Sequence, residues 1–189
     1  MREGILQFDK ELFLLLNGLG TETWDGFWMF MTGTGNSIPL YLLLLYLTYR
    51  TFGLKKTALV LLAIALLITC TDQLSNFFKY GLQRPRPCHD PEVSGLMRLV
   101  KSYCGGKYGY FSAHAANSFG PALFFVVLFR KKVGYIGPIM ILWACIVAYS
   151  RIYIGVHYPL DVISGALIGA LFGWMFAKMT QRGFQKIGP

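Results

Sequence analysis

Several apolar runs of about twenty residues dominate this chain of 189 residues, and no other feature restricts its folding as strongly. Each run is long enough to cross a hydrocarbon layer of roughly 30 Å. Inside lipid every backbone polar group needs a partner within the protein, so the runs must be helices. Only 14% of the residues are charged, whereas about a quarter is usual for a soluble domain. We therefore expect an integral membrane protein.

We interpret the runs as five transmembrane helices in one all-α bundle, a single domain over residues 1–189. The predicted spans cover residues 24–49, 57–80, 112–129, 133–150 and 158–179, and the stretch 33–36 should kink or break the first. Segment 1–20 carries Asp9, Lys10 and Glu11, and its apolar part, 5–16, is too short to span. We expect an amphipathic helix in the membrane interface and no cleavable signal peptide.

Basic residues between the spans indicate the orientation. Nine cations without an acid form three clusters, after the first span, after the third and at the end of the chain: Arg50, Lys55, Lys56, Arg130, Lys131, Lys132, Lys178, Arg182 and Lys186. A five-span chain places all three clusters on one side, which the positive-inside rule makes cytoplasmic. We expect a multi-pass protein of a bacterial inner membrane, with loop 81–111 in the periplasm. The net charge of +9 then reflects topology, and we expect no nucleic-acid partner.

The outer loop is basic as well, which favours an anionic ligand there, since the positive-inside rule places excess cations on the opposite side. It contains Cys88 and Cys104. In an oxidising compartment these should form a disulfide, and closing a loop of this size stabilises a fold by roughly 3 kcal/mol. Two free thiols, or a metal site that includes His89, are the alternatives.

Two polar residues stand four apart at the start of the predicted fifth span. His157 and Asp161 can share one face of a helix. An aspartate that accepts from one imidazole nitrogen leaves the other nitrogen free for nucleophilic attack. A structural hydrogen bond is the alternative for such a pair.

Further candidates for phosphate chemistry lie at the edges of the other spans. Ser112 and His114 open the third span, where unpaired backbone N–H groups can hold phosphate. Ser112 could also be a simple N-cap, and His114 is placed to protonate a leaving oxygen. The cations Lys79, Arg86 and Arg151 suit phosphoryl oxygens, although each alone could reach lipid headgroups instead.

These three segments together resemble the signature of the type 2 phosphatidic acid phosphatase superfamily. Lys79 is followed by six residues and then Arg86-Pro87. Ser150-Arg151 is followed by five residues, His157, three residues and Asp161. The middle segment reads Phe111-Ser112-Ala113-His114, where the family has Pro-Ser-Gly-His. The resemblance covers about residues 24–178.

The resemblance implies a membrane lipid phosphatase that uses no metal or other cofactor. His157 would form a phosphohistidine and Asp161 would orient it, while His114 would protonate the leaving oxygen and then activate water. The phosphoryl oxygens would be held by Lys79, Arg86, Ser112, Ala113 and Arg151. The substrate would be undecaprenyl diphosphate, phosphatidylglycerol phosphate, phosphatidic acid or a lipid A phosphate. Additional cations in the outer loop slightly favour a polyprenyl or glycolipid diphosphate: Arg84, Arg98, Lys101 and Lys107.

Two other functions share parts of this pattern. A lipid phosphotransferase would use the same phosphohistidine and differ only in the acceptor. A non-catalytic protein that binds or transports an anionic lipid would need the cations but no nucleophile.

Small and polar residues inside the spans suggest packing roles. Gly165, Gly169 and Gly173 form a stripe that favours close helix packing within a monomer, with a homodimer as the alternative. Asp72 lies inside the second span, and we expect it to hydrogen-bond neighbouring polar groups such as Gln73 or Asn76 across the bundle, with a functional role as the alternative.

Overall fold

The computed structural model describes residues 2–130 and 132–187, so Met1 of the predicted interfacial segment and Lys131 of the second basic cluster lie outside it. The described chain forms six α-helices: α1 Arg2–Gly18, α2 Glu22–Thr32, α3 Ile38–Leu82, α4 Ala113–Phe129, α5 Ile136–Tyr153 and α6 Pro159–Ile187. Short 3₁₀ turns cover Thr34–Ser37 and Pro87–His89. No strand occurs within the described ranges, which confirms the predicted all-α bundle.

The longest helix, α3, consists of two antiparallel arms, 38–52 and 54–82. Gly53 interrupts it with φ 78° and ψ 174°, a conformation that glycine adopts without steric cost. Tyr41 in the first arm and Ile68 in the second line the same cavity, so the chain folds back at Gly53. The predicted first span is therefore broken where expected, since α2 ends before the turn at Thr34–Ser37 and α3 begins after it.

Three described segments are long and apolar enough to cross a membrane: Thr34–Leu82, Ile136–Tyr153 and Pro159–Ile187. Helix α4 is apolar but has only 17 residues. The helical bundle and its membrane character agree with the sequence, while the number of five crossings stays a prediction.

Helix α4 lies at the centre of the bundle and packs against α3, α5 and α6. Where α4 meets α6, the two helix backbones are in direct contact. A Cβ on Gly169 would overlap the carbonyl oxygen of Ala116, and a Cβ on Gly173 would overlap the carbonyl oxygen of Gly120. The glycine stripe thus lets two helix backbones approach directly, as the sequence predicted.

The basic clusters gather at one end of the bundle. Phe52, beside the reversal of α3, lies 5.7 Å from Phe129 at the end of α4 and 5.0 Å from Phe184 near the end of α6, measured between ring centroids. Lys56 lies over the Phe184 ring. The opposite end therefore holds the end of α3, the starts of α4 and α6, and the end of α5.

Helix α1 packs across this opposite end. Its outer face exposes Ile5, Phe8 and Leu15, while Phe13 and Asn17 are buried. The Asn17 amide donates to the Ile152 and Tyr153 carbonyls at 3.2 and 2.9 Å. An exposed apolar face, opposite a buried face that contacts the rest of the protein, is what we expect of a helix in the membrane interface.

Candidate active site

The predicted site residues all lie at the end of the bundle that α1 covers. Lys79 is in the last turn of α3, and Arg86 follows it in the loop. Ser112 caps α4, Arg151 is in the last turn of α5, and Asp161 is in the first turn of α6. His157 lies in the short link between α5 and α6. Segments far apart in sequence are thus brought to one place by the bundle.

The His157–Asp161 pair is buried at this end. Its Nδ1 and Oδ2 atoms are 3.5 Å apart, and the two side chains are 2% and 0% exposed. The Tyr158 N–H donates to Asp161 Oδ2 at 3.1 Å, and the Ser112 N–H donates to the Asp161 carbonyl at 2.9 Å. Asp161 is therefore fixed, and it faces His157 Nδ1, which leaves Nε2 as the nitrogen free to react.

The environment of His157 favours the neutral imidazole. Burial lowers its pKa well below the usual value, and the positive charges of Arg86, Arg151 and Lys79 lower it further. An uncharged imidazole keeps the lone pair that a nucleophile needs.

The three predicted phosphate-binding cations are held in different ways. Arg86 donates from Nε to the Tyr108 carbonyl at 3.3 Å and from Nη1 to the Cys104 carbonyl at 3.2 Å. Arg151 is 5% exposed and donates from Nη1 to Thr32 Oγ1, while its buried Nε has no partner within the described chain. Lys79 and Arg86 line a common cavity of about 590 Å³. An unpaired guanidinium N–H beside the histidine is the kind of donor that a phosphoryl oxygen would satisfy.

The start of α4 is built as an N-cap. Ser112 is fully buried, and its Oγ accepts from the Ala115 N–H at 3.4 Å. Ala113 is the first helical residue and His114 the second, and both are partly exposed. The N-cap interpretation of Ser112 is thus confirmed. The Ser112 hydroxyl accepts in this cap and keeps its own hydrogen, so it can donate to an anion together with the unpaired backbone N–H groups at the start of α4.

Arg84 plays a different part from the one its sequence position suggested. Its Nη1 lies 2.7 Å from Asp161 Oδ1 and its Nη2 lies 2.5 Å from Asp9 Oδ2. Asp9 Oδ1 also accepts the Leu160 N–H at 2.9 Å. Arg84 is therefore an internal link between α1 and the His157–Asp161 pair. Sequence reasoning missed this link, because nothing in the spacing distinguishes Arg84 from Arg86.

The extra cations of the outer loop fall into two groups, one paired with carboxylates and one not. Arg98 pairs with Asp25 at 3.0 Å, and Arg84 is paired as described. Lys101 lies over the Tyr103 ring, and the exposed Lys107 lies over that of Tyr108. Two of the four cations are thus neutralised by carboxylates, whereas Lys107 lines the same cavity as Lys79 and Arg86. The preference for a diphosphate stays a prediction.

The loop cysteines lie together. The sulfurs of Cys88 and Cys104 are in bonding contact and their Cα atoms are 6.2 Å apart, within the usual range for a disulfide. His89 lies beside them, with its donor atom within 4.8 Å of both sulfurs. A disulfide uses both thiols, so it excludes a metal site at these residues; the disulfide stays our prediction.

Asp72 finds a partner on another helix. The Asn117 amide of α4 donates to Asp72 Oδ1 at 2.7 Å, and Thr71 Oγ1 donates to Asn117 Oδ1 at 2.6 Å. The expected hydrogen bond across the bundle is therefore present, but its partner is Asn117 rather than Gln73 or Asn76.

Comparison with known proteins identifies the family. The family model described as the PAP2 superfamily matches residues 56–185. The chain belongs to this superfamily. It is 38% identical to "Lipid A 4'-phosphatase" of Bacteroides thetaiotaomicron, over 96% of this chain and 83% of the relative. It is 30% identical to "Undecaprenyl-diphosphatase" of Sulfolobus acidocaldarius, over 93% of this chain and 80% of the relative.

A solved structure agrees with this assignment. The crystal structure of Aquifex aeolicus LpxE is similar with a TM-score of 0.66 and 30% identity, covering 89% of this chain and 93% of that one. The PAP2 family and the lipid phosphatase class predicted from the three segments are thereby confirmed.

Proposed function

We propose that the protein is a single-domain lipid phosphatase of a bacterial inner membrane, with its active site facing the periplasm. The buried His157–Asp161 pair, with its nucleophilic nitrogen facing away from the carboxylate, carries the proposal. The positive charges of Lys79, Arg86 and Arg151 lower the pKa of this histidine. The family assignment supports the same class of reaction. We expect it to act as a monomer on a membrane lipid.

The reaction would proceed in two steps. The lone pair of His157 Nε2 attacks the phosphorus of the lipid phosphate, and the bond from phosphorus to the lipid oxygen breaks. His114 gives its proton to that oxygen, which leaves as an alcohol or a phosphate. His114 then removes a proton from water, the water oxygen attacks phosphorus, and the P–N bond breaks to release inorganic phosphate.

The cations would stabilise the phosphoryl group during both displacements. Lys79, Arg86 and Arg151, with the Ser112 hydroxyl and the Ala113 backbone N–H, would bind its three equatorial oxygens. Fixed donors of this kind are usually the largest catalytic factor, and losing one costs about 10²–10³ in rate. Because these groups already neutralise the phosphate charge, we expect no metal or other cofactor.

The substrate candidates are lipids with an anionic head at the interface. The relatives named lipid A 4'-phosphatase and undecaprenyl-diphosphatase support a lipid A phosphate or undecaprenyl diphosphate, and phosphatidylglycerol phosphate and phosphatidic acid share the same chemistry.

A phosphate-release panel over these four lipids tests the proposal. Purified protein should release phosphate from at least one of them, with a chelator present, and His157→Ala should abolish release while lipid binding remains. Unchanged release by His157→Ala would exclude the enzyme mechanism. Transfer of the phosphoryl group to an added lipid alcohol, detected by mass spectrometry, would identify a phosphotransferase instead.

A further inference from the structure

A polar cavity adjoins His114, and neither His157 nor Asp161 is among the residues that line it. It has a volume of about 400 Å³ and lies between the turn before α3, α4 and α5. Its lining includes several hydroxyls, an amide and two aromatic rings, with Thr34, Ser37, Asn117, Tyr41 and Trp143 among the residues that contribute them. Cavities of this size accept small ligands.

The lining is polar but uncharged. Apart from His114, none of the described residues that line it is titratable in the neutral range, and none is lysine, arginine, aspartate or glutamate. Arg151 is not a lining residue, although its guanidinium donates to Thr32, which is one. A second anionic group would find no cation among the residues that line this cavity.

Asn117 is held in a fixed orientation. Its amide N–H donates to Asp72 and its carbonyl accepts from Thr71, which leaves one N–H and one lone pair for a ligand. The Asp72 carboxylate behind it would repel an anion and tolerate a neutral hydroxyl. Tyr41 and Trp143 stand edge to face with centroids 5.9 Å apart, a surface that suits the apolar face of a sugar ring.

A second, apolar cavity lies next to the first. It has a volume of about 520 Å³ and runs between the two arms of α3 and α4, lined mainly by Leu44, Leu61, Ile64 and Phe125. Tyr41 lines both cavities. A ligand with a polar ring and an attached acyl chain would match the polar lining of the first cavity and the apolar lining of the second.

We propose that the two cavities together form the leaving-group side of the active site and bind an acylated sugar. His114 protonates the oxygen that leaves, so the leaving group must lie beside His114. The sugar ring would occupy the polar cavity, and one of its acyl chains would occupy the apolar cavity. This inference rests on the proposed phosphatase function and selects acylated sugar phosphates from its candidate substrates.

A polyprenyl diphosphate would place the phosphate of its leaving group in the polar cavity, where the sugar ring would otherwise lie. Its leaving group is an anionic polyprenyl monophosphate, which would have to enter an uncharged cavity next to Asp72. Lacking a cation partner, a buried phosphate is strongly disfavoured. The protein should therefore discriminate against diphosphate lipids.

Three substrates and two pairs of variants test this assignment on the purified full chain. The substrates are a diacylated glucosamine phosphate, the same sugar phosphate without acyl chains, and farnesyl diphosphate. Trp143→Leu is compared with Trp174→Leu, a tryptophan at the opposite end of the bundle. Leu61→Trp is compared with Leu62→Trp, since both leucines are about half exposed but only Leu61 lines the apolar cavity.

The wild type should prefer the diacylated sugar phosphate. Trp143→Leu should lower kcat/KM for this substrate at least about tenfold more than for farnesyl diphosphate. Leu61→Trp should raise the KM of the acylated sugar phosphate and leave that of the deacylated one unchanged. The two control variants should keep the wild-type preference.

The assignment would be overturned if Trp143→Leu lowered kcat/KM equally for all three substrates or for none of them. A wild-type preference for farnesyl diphosphate would overturn it as well. If the wild type releases phosphate from none of them or from any lipid of the earlier panel, the phosphatase function itself fails. Melting temperatures of all four variants identify any loss that comes from unfolding.

Discussion

At His157, burial and positive charge act in the same direction on protonation. Both lower the pKa below the ordinary value of 6.5. The neutral imidazole required for attack therefore persists at pH values where a solvent-exposed histidine would already be protonated. We predict that the acidic limb of kcat/KM, which reports the free enzyme, lies below pH 6.5.

Arg86→Gln provides the comparison for this prediction. Removing one of the charges that lower the pKa should move the acidic limb to higher pH, in addition to lowering the rate through lost phosphate binding. An acidic limb at or above the ordinary histidine value in the wild type, or a shift to lower pH in the variant, would contradict the account.

Gly109 is a second residue whose effect can be predicted from local geometry. A Cβ at this position would lie 3.1 Å from both Arg86 Cγ and Asp161 Oδ2, and 3.5 Å from His157 Nδ1. Gly109→Ala should therefore displace the nucleophile pair and lower kcat by roughly 10–100-fold, since small misplacements of reacting groups are costly. Gly95→Ala in the same loop has open space around it and should retain full activity in the same assay.

Among the elements, α1 and α6 are joined by the Asp9–Arg84–Asp161 link. Arg84→Met would leave two buried carboxylates without their partner. Breaking a buried pair in this way typically costs about 3–5 kcal/mol, so we predict a large loss in the free energy of unfolding in detergent, accompanied by a lower kcat.

Arg98→Met is the matched control, because Arg98 and Asp25 form a more exposed pair, 32% and 25% accessible. Exposed ion pairs contribute roughly 0–1 kcal/mol, so this variant should unfold close to the wild type. Equal stability losses in Arg84→Met and Arg98→Met would show that the buried link has no special role in holding α1 to the site.

For the whole molecule, the charge distribution and the outer-loop cysteines make one joint prediction. With Cys88→Ser, the remaining Cys104 should react with a membrane-impermeant maleimide in intact spheroplasts, because loop 81–111 faces outward. A cysteine introduced by Lys55→Cys, at the basic end, should react only after the membrane is opened. Labelling is compared with a variant that lacks both loop cysteines, to subtract Cys70 and Cys145. The reverse pattern would contradict the proposed orientation.

Much of this architecture could be predicted because it follows from patterns among residues that are close together in the sequence. Apolar runs predicted the helices, and the stripe of Gly165, Gly169 and Gly173 predicted the close approach of α6 to another helix, which proved to be α4. The spacing within three segments identified the family and brought His114, His157 and Asp161 into one hypothesis before their positions were known.

The remaining features depend on contacts between distant segments. Arg84 and Arg98 looked like free cations, because their partners Asp9, Asp161 and Asp25 lie 73 to 77 positions away in the sequence. Asp72 forms the expected hydrogen bond across the bundle, but the sequence does not identify its partner, Asn117 on α4.

The central claim is that His157 carries the phosphoryl group during turnover, and rapid quenching followed by mass spectrometry tests it directly. The His114→Ala variant, in which hydrolysis of the intermediate should be slow, is mixed with a phosphorylated lipid and quenched under alkaline conditions that preserve phosphohistidine. We predict a phosphoryl group on His157, absent from the His157→Ala variant. A phosphoryl group on another residue, or continued phosphate release by His157→Ala, would contradict the mechanism.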